Sequence, residues 1–451
     1  MHSKSFISAI NPISVPKLEM ARHTLFLYLK GQLLCPSRRN MNKIATQIST
    51  HNEQALAHFI SHSPWDDDAL CAMLCQDAVA LLNTGDEENA LILDESGIAK
   101  QGKQSVGAAR QYCGALGKVD NCQVGVYLAE SSGTEATLID KRFSLPQEWT
   151  DNSFRLPHAG IPDDLKHFQT KTDLGYAMIK NAKGRGIPFQ FVSMDAFYGQ
   201  GAAFLTQLHH DGIEYMADIP SDTRVYLEYP TIGVPSRTGP KGHRPQKERV
   251  LSGQPCRVDY LLTSDLLQWQ SLKLRDIQRG ELWVRCAAVR IHRIENELPC
   301  KQVDWLVIRQ ELDGSDVNYS ASMAPETTSL PVLACRQGRR YWVERALQDA
   351  KGLAGLDEYQ VIGWRGWQHH MALVMLAMVF LLTLKRRLQP AAPMLTLQDA
   401  KEILEQTLPK KQLSHEEAVE LIRKKHENRL RTRTCYLKQQ KQWLLNHQIQ
   451  I

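Results

Sequence analysis

Apolar residues at helical spacing open the chain. Leu25, Leu29 and Leu33 lie one turn apart, and residues 18–84 read as mostly helical. Asn40 to Ile48 and Glu53 to Ile60 form two short helical stretches joined near Ser49-Thr50. This spacing suits a helix-turn-helix, and equally a small helical bundle with no DNA role. Trp65-Asp66-Asp67-Asp68 caps a longer helix through Leu82, with acids in its first turn. Asn83-Thr84-Gly85-Asp86 then forms a turn.

From residue 88 the period changes. Ala90 to Leu93 is a short continuous apolar run, as in a strand buried on both faces. Gln123 to Leu128 and Ala136 to Ile139 are the next strand candidates. A helix from Thr172 to Ala182 stops at Gly184-Arg185-Gly186, and Phe189 to Met194 is a second buried strand. Gly201 to His210 reads as helix and Tyr215 to Ile219 as strand. Three meandering strands followed by α-β-α-β predict an α/β fold with an RNase H-like mixed sheet and flanking helices.

The pattern breaks after Pro220. Pro230 to Arg249 is rich in Pro, Gly and basic residues, among them Arg237, Lys241, His243, Arg244 and Lys247, and reads as a loop. Glu281 to Ile291 and Val303 to Gln310 are strand-like and carry Trp283 and Trp305. Helices resume near Arg339. The Pro-containing linker 389–393 leads to a tail in which Thr396 to Gln406 and Ser414 to Lys425 are helical by period, with Ser414 and Glu417 in a capping-box spacing. Five regions follow: a helical, DNA-binding 1–85; a first part of an α/β core, 86–221; a β-rich insertion, 222–325; a second part of the core, 326–388; and a basic helical tail, 389–451.

Composition is that of an ordinary globular chain, with 43% hydrophobic and 23% charged residues, which excludes a disordered or fibrous protein. The net charge of +5 permits a polyanionic partner without demanding one. The stretch from Lys401 onward holds an excess of Lys and Arg and suits nonspecific contact with nucleic acid, or simply solvation. Met371 to Leu384 is too short for a membrane span and reads as a buried helix. Ten scattered cysteines include no Cys-x-x-Cys pair, and Cys71 and Cys75 fit buried thiols, so a reduced, cytoplasmic protein is expected. The pairs His209-His210 and His369-His370 put adjacent rings on different helix faces and read as core or surface residues rather than metal ligands.

Candidate chemistry lies in the acids. Asp94 and Asp195 each end a buried apolar run, where a side chain enters the crevice beside the strand ends. Glu344 follows Arg340 by four residues and precedes Lys351 by seven, so one helix face carries all three. Such an acid trio suits hard cations, which take oxygen ligands. Two ions roughly 4 Å apart can hold the attacking and leaving oxygens of an in-line displacement at phosphorus. Arg340 and Lys351 suit phosphate contact. Lys100, Lys103 and Arg110 lie after Asp94 and suit either the DNA backbone or solvent. Glu95, Asp120, Asp349 and Glu358 are rival acids: Glu95 should face away from Asp94 by strand alternation, Asp120 sits in an apparent turn, and the other two lack the cationic frame of Glu344.

These residues stand in blocks. Leu91 to Gly97, Lys100 to Gly107, Arg110 to Gly114 and Gly117 to Val124 resemble the first block of DDE-superfamily insertion-sequence transposases, and Leu145 to Trp149 resembles the segment that follows. Ser193 to Gly199 is similar to the second-aspartate block. Arg340 to Gly352, Gly355 to Tyr359 and Trp364 to His370 resemble the third. The resemblance implies Asp94, Asp195 and Glu344 as catalytic ligands of Mg2+, replaceable by Mn2+, with two ions. It implies double-stranded DNA as partner, a homodimer handling two DNA ends, and no membrane. Arg340 and Lys351 match a Tyr-x2-Arg-x3-Glu-x6-Lys signature, in which Gln337 replaces the Tyr. It also implies a strand-rich insertion in which Trp283 or Trp305 stacks a flipped base, or else serves as core. The implied activity is binding of terminal inverted repeats, strand cleavage and strand transfer, in a cytoplasmic, nucleoid-associated setting. A decayed transposase that only binds DNA, and an RNase H-like nuclease, are the competing readings.

Overall fold

The computed structural model describes residues 15–408, apart from 36–38, 49–52, 84, 86–87, 153, 237–245, 278–279 and 393, and scattered positions beyond 408. Four helices come first: α1 (Val15–Leu34), α2 (Met41–Ile48), α3 (Glu53–Ser61) and α4 (Asp67–Leu82). Asp66 caps α4, its carboxylate accepting from the Ala69 amide at 2.9 Å.

The sheet begins with β1 (Asn89–Ala99), β2 (Ala109–Cys113), β3 (Lys118–Ser132) and β4 (Glu135–Ser144). Then follow α5 (Lys171–Gly184), β5 (Phe191–Met194), a one-turn α6 (Ala196–Gly199), α7 (Ala202–His210) and β6 (Tyr215–Ile219). β1, β5 and β6 are parallel neighbours, and β3 runs antiparallel to β1 on its other side. This is the expected mixed α/β, RNase H-like core, with one strand, β2, that the apolar pattern did not mark.

Four strands between Gln270 and Ser322 extend that sheet. Strands β7 (Gln270–Ile277), β8 (Gly280–Ile291), β9 (Asp304–Glu311) and β10 (Val317–Ser322) pair antiparallel in turn, and β10 pairs with β6. The result is one ten-stranded sheet in the order β7-β8-β9-β10-β6-β5-β1-β3-β2, with β4 also on β3. Arg237, Lys241, His243 and Arg244 of the basic loop lie outside the described residues, as do Ser414 and Glu417 of the tail.

Helices α8 (Leu330–Gly338), α9 (Tyr341–Ala354), α10 (Trp364–Leu388) and α11 (Leu397–Thr407) complete the described fold. The apolar run of α10 is buried on nearly every side because α3, α4, α9, α11 and β4 all pack on it. Among the described residues no helix is long and apolar enough to cross a membrane. The His369 ring nitrogens lie 2.8 Å from the Ile60 carbonyl and 3.2 Å from the Trp65 carbonyl, to which its N–H can donate, and His370 meets the Tyr28 hydroxyl and the Gly355 carbonyl, each at 3.0 Å. Burial pushes both imidazoles down to about 4, so they are neutral ties between α10 and its neighbours. His209 is half-buried and His210 exposed on α7. All ten cysteines are free thiols.

Candidate active site

Strand register brings the first two acids together. Leu93 of β1 pairs with Met194 of β5, so Asp94 and Asp195 come next at one level of adjacent parallel strands. Asp94 does not end its strand, as its apolar run suggested. β1 continues to Ala99 because β3 keeps pairing with it after β5 has stopped. The acid therefore lies just past the point where pairing with β5 stops. Asp195 does leave its strand and caps α6, accepting from the Phe197 and Tyr198 amides at 3.1 and 3.4 Å.

β6 adds an acid that the sequence reading passed over. Met194 pairs with Ala217, which puts Asp218 at the level of Asp195. Asp94, Asp195 and Asp218 thus form a row across three strands. The signal was present: Tyr215-Met216-Ala217-Asp218 repeats the pattern of an apolar run followed by Asp. α6 lies so close to β6 that a Cβ on Gly199 would stand 1.9 Å from the Asp218 carbonyl oxygen, so only glycine allows this approach.

Glu344 arrives on the first turn of α9, exposed to solvent. Arg340 joins it to the row. The guanidinium Nη1 contacts Glu344 Oε1 at 2.5 Å, and Nε contacts Asp218 Oδ2 at 2.7 Å. Burial works against the charge on Arg340, yet Asp218, Glu344, Asp94 and Asp195 together hold it above the usual arginine range. Lys351 lies two turns further along the face of α9 that carries Glu344.

Negative charge exceeds positive charge here. Burial, reinforced by the Asp195 charge, pushes the Asp94 carboxyl up to about 7. Burial raises Asp195 and Asp218 as well, with Arg340 opposing in both cases. Among the described residues, no three acids, histidines or cysteines stand in ready-made metal-ligand geometry. The donor set nevertheless fits a hard divalent cation: every donor is a carboxylate oxygen, and four carboxylates share one guanidinium.

The remaining predicted residues lie apart from this cluster. Lys100 stacks on the Tyr359 ring, 3.7 Å from its centroid, donates to the Tyr359 carbonyl at 3.1 Å, and is pushed down to about 8 by burial. Lys103 is exposed and its carbonyl accepts from Arg155 at 2.7 Å. Trp283 is exposed on β8 and donates to Glu281 at 2.9 Å. Trp305 is half-buried on β9, donates to the Pro325 carbonyl at 3.1 Å and lies under Arg290. The rival acids have cations of their own: Glu95 pairs with Lys171 at 2.6 Å, Asp120 with Lys118 at 3.0 Å, Asp349 with Arg345 at 3.1 Å and Glu358 with Arg39 at 2.7 Å. Asp120 lies within β3, three residues past Gly117. Gln337, at the signature's Tyr position, is buried and donates to the Ser320 hydroxyl at 2.8 Å.

Three acids thus stand in register on a mixed α/β sheet, and a later helix supplies a fourth. The profile of the DDE superfamily endonucleases matches residues 16–281, more than half of the chain, and the chain belongs to that family. That match contains Asp94, Asp195 and Asp218 and stops short of Glu344. The chain is also similar to the probable transposase for insertion sequence element IS701 of Microchaete diplosiphon, at 30% identity over 191 residues. The alignment covers 42% of this chain and 47% of that protein, so the chain spans about half the length of the curated relative it matches.

Proposed function

We propose that the chain is a transposase that binds the terminal inverted repeats of an insertion sequence, cleaves strands there and transfers the freed ends to target DNA. The observation that carries this reading is the acid row on β1, β5 and β6 sharing Arg340 with Glu344. Asp94, Asp195 and Glu344 would hold Mg2+, or Mn2+ in its place, as two ions. Those cations supply activation of the attacking oxygen and neutralisation of the leaving one. Asp94 and Asp195, fixed by strand register, set where the scissile phosphate lies. Arg340 and Lys351, on the Glu344 face of α9, contact its non-bridging oxygens. Water and then a 3′-hydroxyl are the nucleophiles, and no covalent protein intermediate is needed.

α2 and α3 serve as the DNA-reading element of the N-terminal region, and Lys100, Lys103, Trp283 and Trp305 are kept as candidate DNA contacts outside the acid cluster. Two ends require two active sites, so the working form is a homodimer on chromosomal DNA. Purified protein, a duplex carrying the element end and Mn2+ test the reading. Cleavage at the end, lost in Asp94→Asn, Asp195→Asn and Glu344→Gln, is expected. Cleavage retained by any of these variants removes that residue from the site. End-specific binding without cleavage by the unaltered chain points instead to a decayed transposase that only binds, and cleavage without end preference to a general nuclease.

A further inference from the structure

Asp218 has neighbours on both sides. One oxygen accepts from the Ser320 hydroxyl of β10 at 2.6 Å, and the other receives Arg340 Nε at 2.7 Å. Ser320 is itself fixed, since it pairs with Asp218 in register and receives the Gln337 amide at 2.8 Å. A chain of contacts therefore runs Gln337, Ser320, Asp218, Arg340, Glu344, buried at Gln337 and Ser320 and reaching solvent at Glu344. Its effect concerns where a single guanidinium sits. Arg340 lies within electrostatic reach of Asp94 and Asp195 but forms its close contacts with Asp218 and Glu344.

We propose that Asp218 is a positioning residue that holds Arg340 away from Asp94 and Asp195, keeping that pair open to divalent cations. The proposal rests on the metal-dependent reading above. Without the Asp218 charge, Asp94 and Asp195 are the further acids, besides Glu344, that act on the guanidinium. Arg340 would then become an internal competitor for the cation site. With Asp218 present, the same guanidinium remains beside the row, placed to meet phosphate. Gln337 acts at one remove by orienting Ser320, which gives the residue at the signature's Tyr position a role in this chain.

Two measurements on the full-length protein decide it. In metal-free protein, the Arg340 Nε–H resonance, assigned by its loss in Arg340→Gln, is expected to exchange slowly in the unaltered chain. In Asp218→Asn it should move to a new chemical shift as the guanidinium turns to Asp94 and Asp195, and by a smaller amount in Ser320→Ala, which loosens Asp218 without removing its charge. An unchanged resonance in Asp218→Asn overturns the proposal, and should that variant fail to fold, an unchanged resonance in Ser320→Ala does so. Mn2+ titration followed by electron paramagnetic resonance is the second measurement. Asp218→Asn should weaken Mn2+ binding about tenfold, the size carried by one charge-assisted contact. The same substitution in an Arg340→Gln background should have no effect, because the competitor is gone. Equal weakening in both backgrounds, or none in the first, overturns the proposal. Absence of Mn2+ binding by the unaltered chain defeats the metal-dependent reading instead, and the arginine resonance then decides the clamp by itself.

Discussion

Two arginines four residues apart hold opposite ends of the same parallel strands. Arg336 on α8 contacts Glu88 and Glu214, each at 2.7 Å, just before β1 and β6 begin. Arg340 contacts Asp218 and Glu344 at the level where the parallel pairing of β1, β5 and β6 stops. The first cluster is closed: one guanidinium binds two carboxylates and lies over the Phe191 ring, 5.0 Å from its centroid. The second is open, with Asp94 and Asp195 sharing the same cation at longer range. The cation at each end is the same, and the surplus of acids differs. A closed cluster ties helix to sheet, whereas a surplus of buried carboxylate pushes its members up, as at Asp94.

The sharpest way to break the comparison is to neutralise each end in turn. Asp94→Asn or Asp195→Asn should lower cleavage by at least about 10²-fold, the scale of losing one strong electrostatic contact to the reacting centre. The substitution should leave the melting temperature unchanged or higher, because it removes a buried like charge. A gel-based cleavage assay beside a thermal melt reads both. Gly199→Ala comes next. Its Cβ meets the Asp218 carbonyl, so α6 must move, taking the Asp195 cap with it. A loss of about 3 kcal/mol is expected by urea unfolding, with cleavage reduced in the protein that remains folded.

Legibility followed local pattern. Asp94 and Asp195 could be read because each closes an uninterrupted apolar run, and Glu344 because helical spacing sets it beside Arg340. β1 beyond Asp94 could not be read, because Glu95-Ser96-Gly97 has no apolar run and its strand state comes from pairing with β3. Asp218 carried the same mark as the other two aspartates. Its importance lies in contacts with Ser320 and Arg340, both remote in sequence. That the strands between Gln270 and Ser322 extend the core sheet depends on the β6–β10 pairing, which no period along one strand encodes.

Smaller effects sharpen the contrast. Arg336→Ala should destabilise the fold by about 2 kcal/mol, less than for a fully buried pair because both partners keep solvent contact. Cleavage per folded molecule should persist, which separates the closed cluster from the open one. Glu130 tests burial without clustering. It is fully buried on β3, neither carboxylate oxygen has a hydrogen-bond partner, and burial raises it to about 7. An acid raised on folding holds its proton more tightly in the folded state. Its cost is therefore absent below its unfolded value and grows as pH rises toward 7. Glu130→Gln should be neutral near pH 4 and stabilising by roughly 3 kcal/mol above pH 7, measured by urea unfolding across pH. Mn2+ binding should not change, since one buried acid is not a cation site.

Calorimetric titration of Mn2+ into the metal-free, full-length protein tests the central claim most directly. Saturable binding is expected in the unaltered chain, abolished in Asp94→Asn and in Asp195→Asn and intact in Arg336→Ala. Binding that survives in both aspartate variants, or that is lost in Arg336→Ala while the protein remains folded, would contradict it.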